Sequence, residues 1–205
     1  MNGWDMLAAW KGGSGSRLLM GDPDTPEGRL IPITHREVED PAVIQDLARW
    51  RNAARTSFFH QAETTPERTR AWLDRAILTP PDCILFLMIS ADGRRVGHVG
   101  LRGLRDGRAE LHSVLRAEPA PPGFATSACR TLIAWTRAEL RVSTIHLSVF
   151  ADNGPAVALY QRLGLREVER VWYARREQDG SAIYEAGPAV TGQGAWVAVM
   201  MLEDA

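Results

Sequence analysis

Hydrophobic residues along residues 28–202 recur with a two-residue period in some stretches and a helical period in others, which predicts alternating strands and helices. The predicted strands lie at 30–33, 83–90, 96–101, 109–115, 144–150, 166–176 and 195–202. The predicted helices begin at Pro41, Pro66, about residue 126, and Pro155. The short turns Asp92-Gly93 and Asp106-Gly107 join three consecutive strands into a meander. This order predicts an α/β (α+β) fold, with a mixed, mostly antiparallel central sheet flanked by helices.

Residues 1–27 differ in pattern from the rest of the chain. Trp4, Leu7 and Trp10 fit a short amphipathic turn, and a glycine and serine cluster follows them. The cluster fails as a dinucleotide fingerprint because position 18 is Leu18, and as a nucleophile elbow because position 16 is Ser16. We therefore expect a partly flexible N-terminal extension over 1–27, which the domain at 28–205 does not need in order to fold. The alternative is that Trp4, Leu7 and Trp10 dock on the core or on a second subunit.

The composition excludes several classes of protein. The chain has 205 residues, 45% of them hydrophobic, and a formal net charge of -1, which argues against a strongly basic nucleic-acid footprint. Lys11 is the only lysine and fits neither a P-loop nor a Schiff base. Cys83 and Cys129 form no CxxC pair, so we expect no disulfide framework and no metal. No signal peptide or membrane-length apolar run is present, so we expect a cytoplasmic protein without nucleic-acid or membrane partners.

A motif near the end of the chain carries a family resemblance. It consists of Asn153, Ala156, the pair Leu159-Tyr160 and the ending Gly164-Leu165. This resembles the late motif of the GNAT superfamily, the Gcn5-related acyl-CoA N-acyltransferases, which end more often in Gly-Phe. The predicted order of elements from about 28 to 202 also matches that family. The resemblance implies a sheet splayed at an acyl-CoA site, with acetyl-CoA as co-substrate.

A second stretch is similar to the family's pyrophosphate-binding loop, which has Arg or Gln, two residues, Gly, one residue, then Gly or Ala. Here it is Ala120-Pro121-Pro122-Gly123-Phe124-Ala125, so the glycine and the last small residue fit and Ala120 departs. Small residues let backbone N–H groups approach phosphates, and the loop opens a helix whose N-terminus favours an anion. The resemblance implies acetyl-CoA contacts from Val114, Leu115, Gly123, Phe124, Ala125, Thr126, Ser127 and Asn153.

Acyl transfer to an amine needs a base for the ammonium proton and an acid for the leaving thiolate. Tyr160 matches the position at which the family places the acid; the alternative is a packed aromatic side chain. Ala109-Glu110-Leu111 resembles a pattern in which the glutamate points at the acceptor amine, so Glu110 is the candidate base. The alternative for Glu110 is an ion pair with an arginine. His112, on the same face of the strand, is the second candidate base.

The segment around Trp50-Arg51-Asn52 resembles the ribosomal-protein and nucleotide-amino-sugar acetyltransferase branch of the family. It implies acceptor contacts from Arg51, Phe58 and His60. Of the polar residues here, Arg51, Arg55 and His60 could receive a phosphate or carboxylate; the alternative is a solvated helix end. The favoured acceptor is the primary amine of an amino sugar, free or linked to a nucleotide. A protein or peptide N-terminus is one alternative, and a catalytically silent acyl-CoA-binding or partner-binding module is another. The long connection at 177–194 is expected to cover the acceptor site or to contact a second copy in a homodimer.

Overall fold

A single ten-stranded sheet organises the part of the chain that the structure describes. The structure is a computed structural model that describes residues 2–15, 17–22, 24, 26–187 and 192–203. The helices are α1 Gly3–Lys11, α2 His35–Glu39, α3 Pro41–Ala53, α4 Pro66–Leu73, α5 Phe124–Leu140 and α6 Gly154–Arg162. The strands are β1 Leu18–Gly21, β2 Pro26–Pro32, β3 His60–Gln61, β4 Ile84–Ser90, β5 Arg95–Arg105, β6 Arg108–Arg116, β7 Thr144–Phe150, β8 Arg166–Gln178, β9 Ser181–Ala186 and β10 Gly194–Glu203. A 3₁₀ turn lies at Arg55–Ser57 and a π-helical turn at Asp74–Leu78.

The strands follow the order β1-β2-β4-β5-β6-β7-β10-β8-β9-β3. Within the described residues every neighbouring pair is antiparallel except β6 with β7. The predicted meander is confirmed as β4, β5 and β6, and the mixed, mostly antiparallel fold class is confirmed with it. The strands β1, β3 and β9 were not predicted from the sequence.

Local sequence signals explain where the helices begin. Asp40 accepts a hydrogen bond from the Ala42 N–H at 2.9 Å, and a proline follows it at the first helical position of α3. Thr65 caps α4 in the same way. Asn153 caps α6 by accepting the Ala156 N–H at 3.3 Å. These caps satisfy backbone donors that the first turn of a helix leaves without partners.

Two apolar cores lie on opposite faces of the sheet. The α5 core holds side chains from α1, α5 and α6 against the sheet, with Phe86, Leu132 and Tyr160 among them. The α3 core holds side chains from α3 and α4, with Ile44 and Leu73 among them. The strand β4 is buried along its whole length because it contributes alternate residues to both cores. The two cores define the α5 side and the α3 side of the sheet.

The described residues of the segment 1–27 pack on the domain, and whether the domain at 28–205 needs them in order to fold stays a prediction. Leu7 and Met20 are fully buried in the α5 core. The Trp10 ring lies 4.8 Å from the Trp135 ring, and Lys11 Nζ donates to the Leu78 carbonyl at 3.0 Å. These partners lie far away in the sequence, so the local pattern did not reveal them. Ser16, which belongs to the glycine and serine cluster, lies outside the described residues.

We now expect deletion of residues 1–27 to destabilise the domain instead of leaving it intact. Burial of Leu7 and Met20 contributes roughly 1.5–3 kcal/mol each, and their loss corresponds to a fall in Tm of about 10 °C in a chain of this size. Thermal unfolding followed by circular dichroism measures the effect. Met20→Ala should reproduce part of it, whereas Leu19→Ala should not because Leu19 is 42% exposed. A truncated chain that melts at the full-length Tm would restore the original expectation.

Candidate active site

A gap opens in the middle of the sheet, between β6 and β7. These strands pair only at Arg108–Thr144, Ala109–Ile145 and Glu110–His146. Beyond Glu110, β6 stays paired with β5, while β7 pairs with β10 up to Phe150. The two strands therefore diverge, and the predicted splay of the sheet is present.

The edge of β6 that faces the gap carries Val114 and Leu115. Past Glu110 no strand among the described residues pairs with this edge, so its N–H and C=O groups are free to bond an extended ligand. A register shift between the β5–β6 pairs His98–Leu115 and Gly100–His112 places a bulge there, with Ser113 at φ 51°. Val114 and Leu115, two of the positions implied for acyl-CoA binding, therefore lie on an open strand edge.

The loop before α5 ends in Gly123. This glycine has φ 84° and directly precedes the first helical residue. No side chain caps this helix, so its first-turn N–H groups face the loop without a side-chain acceptor. Phe124 differs from the expectation: its side chain is buried in the α5 core against Gly28, and its N–H donates to the Pro121 carbonyl at 3.1 Å. Thr126 is also buried; Ala125 and Ser127 are partly exposed.

We expect Gly123→Val to weaken acetyl-CoA binding more than tenfold, because valine is strained at positive φ and adds bulk where phosphates would approach. Gly93→Val is the matched control, since Gly93 has φ 86° in the Asp92-Gly93 turn. A Cβ atom added at Gly93 or at Gly123 would have no neighbouring atom within 4 Å. Isothermal titration calorimetry measures the affinity and thermal unfolding checks the fold. Equal affinity in both variants would remove the loop from the site.

Tyr160 lies on α6, on the α5 side of the gap, with 8% of its surface exposed. Burial raises the pKa of its phenol above the ordinary value of 10.0, so the hydroxyl stays protonated near neutral pH. Among the described residues no group hydrogen-bonds this hydroxyl, and it is not one of the fully buried unpartnered atoms. The Tyr160 hydroxyl is therefore a neutral donor without a protein partner among the described residues.

Glu110 lies on the α3 side, because its neighbours Ala109 and Leu111 belong to the α5 core. Its carboxylate receives two hydrogen bonds from Arg102, from Nε at 2.9 Å and from Nη2 at 2.6 Å. The ion pair that the sequence left open as the alternative is present. Glu110 also lies at the last paired position before the strands diverge, so its backbone stands where the gap begins.

His146 is a residue that the sequence reasoning missed. It is the β7 partner of Glu110 in the parallel pair, and its Nδ1 is buried without a hydrogen-bond partner. Burial lowers the pKa of its imidazole. No signal in the sequence places His146 beside Glu110, because their strands are separated by the whole of α5.

His112 is enclosed on the α3 side. Its Nε2 lies 3.7 Å from Cys83 Sγ, and its Nδ1 lies 2.9 Å from Ser113 Oγ. Burial lowers the His112 pKa to about 3 and raises the Cys83 pKa to about 12, so both groups are uncharged near neutral pH. Both ring nitrogens of His112 therefore have partners, as both carboxylate oxygens of Glu110 do, and the choice of base between the two residues stays a prediction.

The predicted acceptor residues lie together at the end of α3. The Arg51 guanidinium lies over the Phe58 ring at 3.6 Å, and its Nη2 donates to the His60 carbonyl. Burial lowers the Arg51 pKa to about 10, and no carboxylate pairs with Arg51 within the described ranges. His60 is exposed and contacts Arg51 through its backbone, not its imidazole.

The connection predicted at 177–194 is shorter than expected, because β8 continues to Gln178 and turns directly into β9. Tyr184 of β9 joins Phe59, Phe150 and Tyr173 in an aromatic cluster with ring centroids about 5 Å apart. The rest of the connection includes residues 188–191, which lie outside the described residues. A homodimer contact there stays a prediction.

Metal-binding clusters and membrane-spanning helices are both absent from the described residues. No group of three or more His, Cys, Asp or Glu side chains is arranged to hold a metal ion in that part of the chain. None of the described helices has the length and apolar character needed to cross a bilayer. The compartment in which the protein works stays a prediction.

Comparison with known proteins agrees with this geometry. The model of the acetyltransferase (GNAT) domain matches residues 30–166. The L-amino acid N-acetyltransferase AaaT of Escherichia coli (strain K12) is 27% identical over 143 residues, which cover 68% of this chain and 84% of that protein.

Solved structures share the fold at low sequence identity. A spermidine N-acetyltransferase from Vibrio cholerae, in complex with CoA and spermine, has a TM-score of 0.63 at 17% identity and covers 80% of this chain and 91% of its own. A probable GNAT-family acetyltransferase from Chromobacterium violaceum ATCC 12472 has a TM-score of 0.64 at 16% identity, with 93% and 91% covered. With a family model that spans most of the sequence and a sheet splayed as the motifs predicted, the chain belongs to the GNAT family of acyl-CoA-dependent N-acetyltransferases.

Proposed function

We propose that this enzyme transfers the acetyl group of acetyl-CoA to a primary amine of a small molecule that also carries an anionic group. The observation that carries the proposal is the gap between β6 and β7, which has Tyr160 on the α5 side and Glu110 on the α3 side. A thioester placed in this gap meets an acid from one side and the acceptor amine, with its base, from the other.

The residues around the gap fit acetyl-CoA. The N-terminus of α5, entered through Gly123, suits the pyrophosphate, with backbone N–H groups and the Ser127 hydroxyl as donors. The free edge of β6 at Val114 and Leu115 suits the amides of the pantetheine arm. Asn153 uses its carbonyl oxygen to cap α6, so its amide nitrogen remains for the same arm. The side chain of Phe124 serves the core, and its role is to fix the start of α5.

The α5 side and the α3 side of the gap each contribute one group to the proposed reaction. The amine nitrogen attacks the thioester carbonyl, a C–N bond forms, and the C–S bond breaks as the intermediate collapses. Glu110 takes the proton from the ammonium, directly or through a water, and Arg102 holds the carboxylate in place. Tyr160 gives its proton to the departing sulfur and regains one from solvent, and the newly bonded nitrogen releases its second proton to solvent to give the neutral amide. Coenzyme A thiol and the N-acetylated acceptor are the products.

Arg51 supports an anionic acceptor. The Arg51 guanidinium lies over the Phe58 ring and donates from one nitrogen to the His60 carbonyl, which leaves its other N–H groups for a carboxylate or phosphate. A polyamine carries only positive charge and would need a carboxylate where Arg51 stands. The Escherichia coli relative is named as an L-amino acid N-acetyltransferase, which agrees with a carboxylate-bearing amine. A nucleotide-linked amino sugar, the acceptor favoured from the sequence, carries phosphates and meets the same requirement.

Release of coenzyme A thiol tests the proposal, with acetyl-CoA and a panel of amines. The panel contains amino acids, free and nucleotide-linked amino sugars, spermidine and peptides with free N-termini. We expect amines that carry an anion to give the highest kcat/KM, and the preferred member identifies the source of that anion. Preference for spermidine or for free glucosamine would overturn the anionic acceptor. Absence of thiol release with every amine would favour the catalytically silent module.

Arg51→Gln should raise the KM of the preferred anionic acceptor about tenfold or more, which is typical when a charge-assisted pair is lost. The uncharged amide or ester of the same acceptor should be almost unaffected, because it lacks the group that Arg51 binds. Arg49→Gln is the matched control on α3, since the Arg49 side chain is 60% exposed and pairs with Asp46. Equal KM changes for the charged and uncharged acceptors would show that Arg51 only supports the fold.

A further inference from the structure

The bulge in β6 leaves a backbone carbonyl outside the ladder, and a buried histidine binds it. Between the pairs His98–Leu115 and Gly100–His112, β5 has one residue and β6 has two, Ser113 and Val114. Ser113 adopts φ 51°, which is uncommon for a residue with a side chain. His98 Nδ1 lies 2.6 Å from the Ser113 carbonyl oxygen.

The surroundings of His98 define its state. It is 5% exposed, and burial lowers its pKa to about 4, so the imidazole is neutral near pH 7. A carbonyl oxygen only accepts hydrogen bonds, so Nδ1 carries the proton and donates it to Ser113. The Trp50 ring packs near the His98 imidazole, with the two ring centroids 6.4 Å apart. His98 is therefore a fixed donor and does not face the acceptor amine as a base.

The bulge determines where the free edge of β6 lies. Ser113 directly precedes Val114 and Leu115, and it follows the point at Glu110 where β6 leaves β7. Next to His98, the strands approach so closely that a Cβ on Gly97 would stand 2.0 Å from the Leu115 carbonyl oxygen. His112 holds the Ser113 hydroxyl from the same side, at 2.9 Å. Two imidazoles thus fix one strained residue at the start of the open edge.

We propose that His98 is a positioning residue, whose hydrogen bond to the Ser113 carbonyl holds the β6 bulge and so keeps the backbone of Val114 and Leu115 turned toward the acyl-CoA arm. This rests on the proposed binding of acetyl-CoA in the gap. Without the bond, the partly buried Ser113 carbonyl loses its donor and the bulge relaxes toward regular pairing. The strand edge then no longer matches the ligand.

The test compares three variants by calorimetric Kd for acetyl-CoA, Tm and steady-state kinetics. His98→Leu keeps apolar volume and removes the donor, and we expect Kd and KM for acetyl-CoA to rise about tenfold while saturated kcat changes little. His98→Asn places an amide N–H where Nδ1 stood and should restore most of the affinity. His98→Leu combined with Ser113→Gly should also recover the affinity for acetyl-CoA, because glycine adopts a positive φ without a hydrogen bond that holds it there.

The outcomes separate a positioning role from a merely structural one. A lower Tm with unchanged acetyl-CoA affinity in His98→Leu would overturn the proposal, as would failure of both rescue variants to regain affinity. If His98→Leu does not fold, His98→Asn compared with His98→Ala measures the same contrast. Wild-type protein that binds no acetyl-CoA would instead overturn the proposed function. Hydrogen exchange at the Val114 and Leu115 amides then tests the positioning role of His98 without a ligand. Faster exchange in His98→Ala than in His98→Asn supports that role, and equal exchange rejects it.

Discussion

Replacing Tyr160 with phenylalanine is expected to lower kcat about 10²–10⁴-fold, the usual range for loss of one acid–base group. The substitution removes one oxygen and keeps the ring that packs in the α5 core. The thiolate leaving group has a pKa near 8.5 as a free thiol, so a phenol is a weak acid toward it. Its contribution is positional: a protonated hydroxyl beside the sulfur stabilises charge and transfers a proton as the C–S bond breaks.

Stability and affinity separate this role from packing. No group among the described residues hydrogen-bonds the Tyr160 hydroxyl, so Tm and the Kd for acetyl-CoA should change little in Tyr160→Phe. Because burial raises the phenol pKa, the wild-type enzyme should show no loss of activity from Tyr160 ionisation below pH 10. Tyr184→Phe deletes a second tyrosine hydroxyl and should leave kcat within about threefold. Wild-type turnover by Tyr160→Phe across the pH range would reduce Tyr160 to a packing residue.

The parts of the fold that depend on local periodicity and turn chemistry were predictable. The Asp92-Gly93 and Asp106-Gly107 turns fix the meander, and the proline-led caps fix α3 and α4. The segment 1–27 was not predictable, because Leu7 and Lys11 find their partners across long sequence separations. Its glycines suggested a linker, whereas Met20 and its neighbours form an edge strand on β2.

The candidate site was likewise predictable only where it depends on local sequence. The motif around Asn153 and Tyr160 predicted a capped helix with Tyr160 on it, since a helix cap and a spacing of seven residues are local properties; the role of Tyr160 as the acid stays a prediction. The Arg102–Glu110 pair was left open because strand register decides which arginine meets the carboxylate. His146 could not be found, because it approaches Glu110 only through the one parallel pairing of the described sheet. Parallel partners lie a crossover apart in sequence and leave no local signal.

Replacing Glu110 with glutamine should lower kcat about 10²-fold or more at neutral pH, because the amide keeps the shape and cannot take a proton. Acetyl-CoA affinity should persist, since Glu110 lies on the α3 side and the proposed phosphate contacts lie at α5. The variant can use only acceptor amine that is already deprotonated. Its rate should therefore rise about tenfold per pH unit below the acceptor's own pKa, and its deficit against the wild-type enzyme should shrink.

A matched ion pair separates base catalysis from loss of a salt bridge. Glu167 on β8 also receives two hydrogen bonds from one arginine, from Arg170 at 2.8 Å and 2.9 Å, and it lies away from the gap. Glu167→Gln removes an equivalent pair and should leave kcat and its pH profile unchanged. If Glu110→Gln turns over at the wild-type rate, Glu110 serves only to hold Arg102. If activity is instead lost only in His112→Ala, the enclosed imidazole is the base, and its partners Cys83 and Ser113 must move aside during turnover.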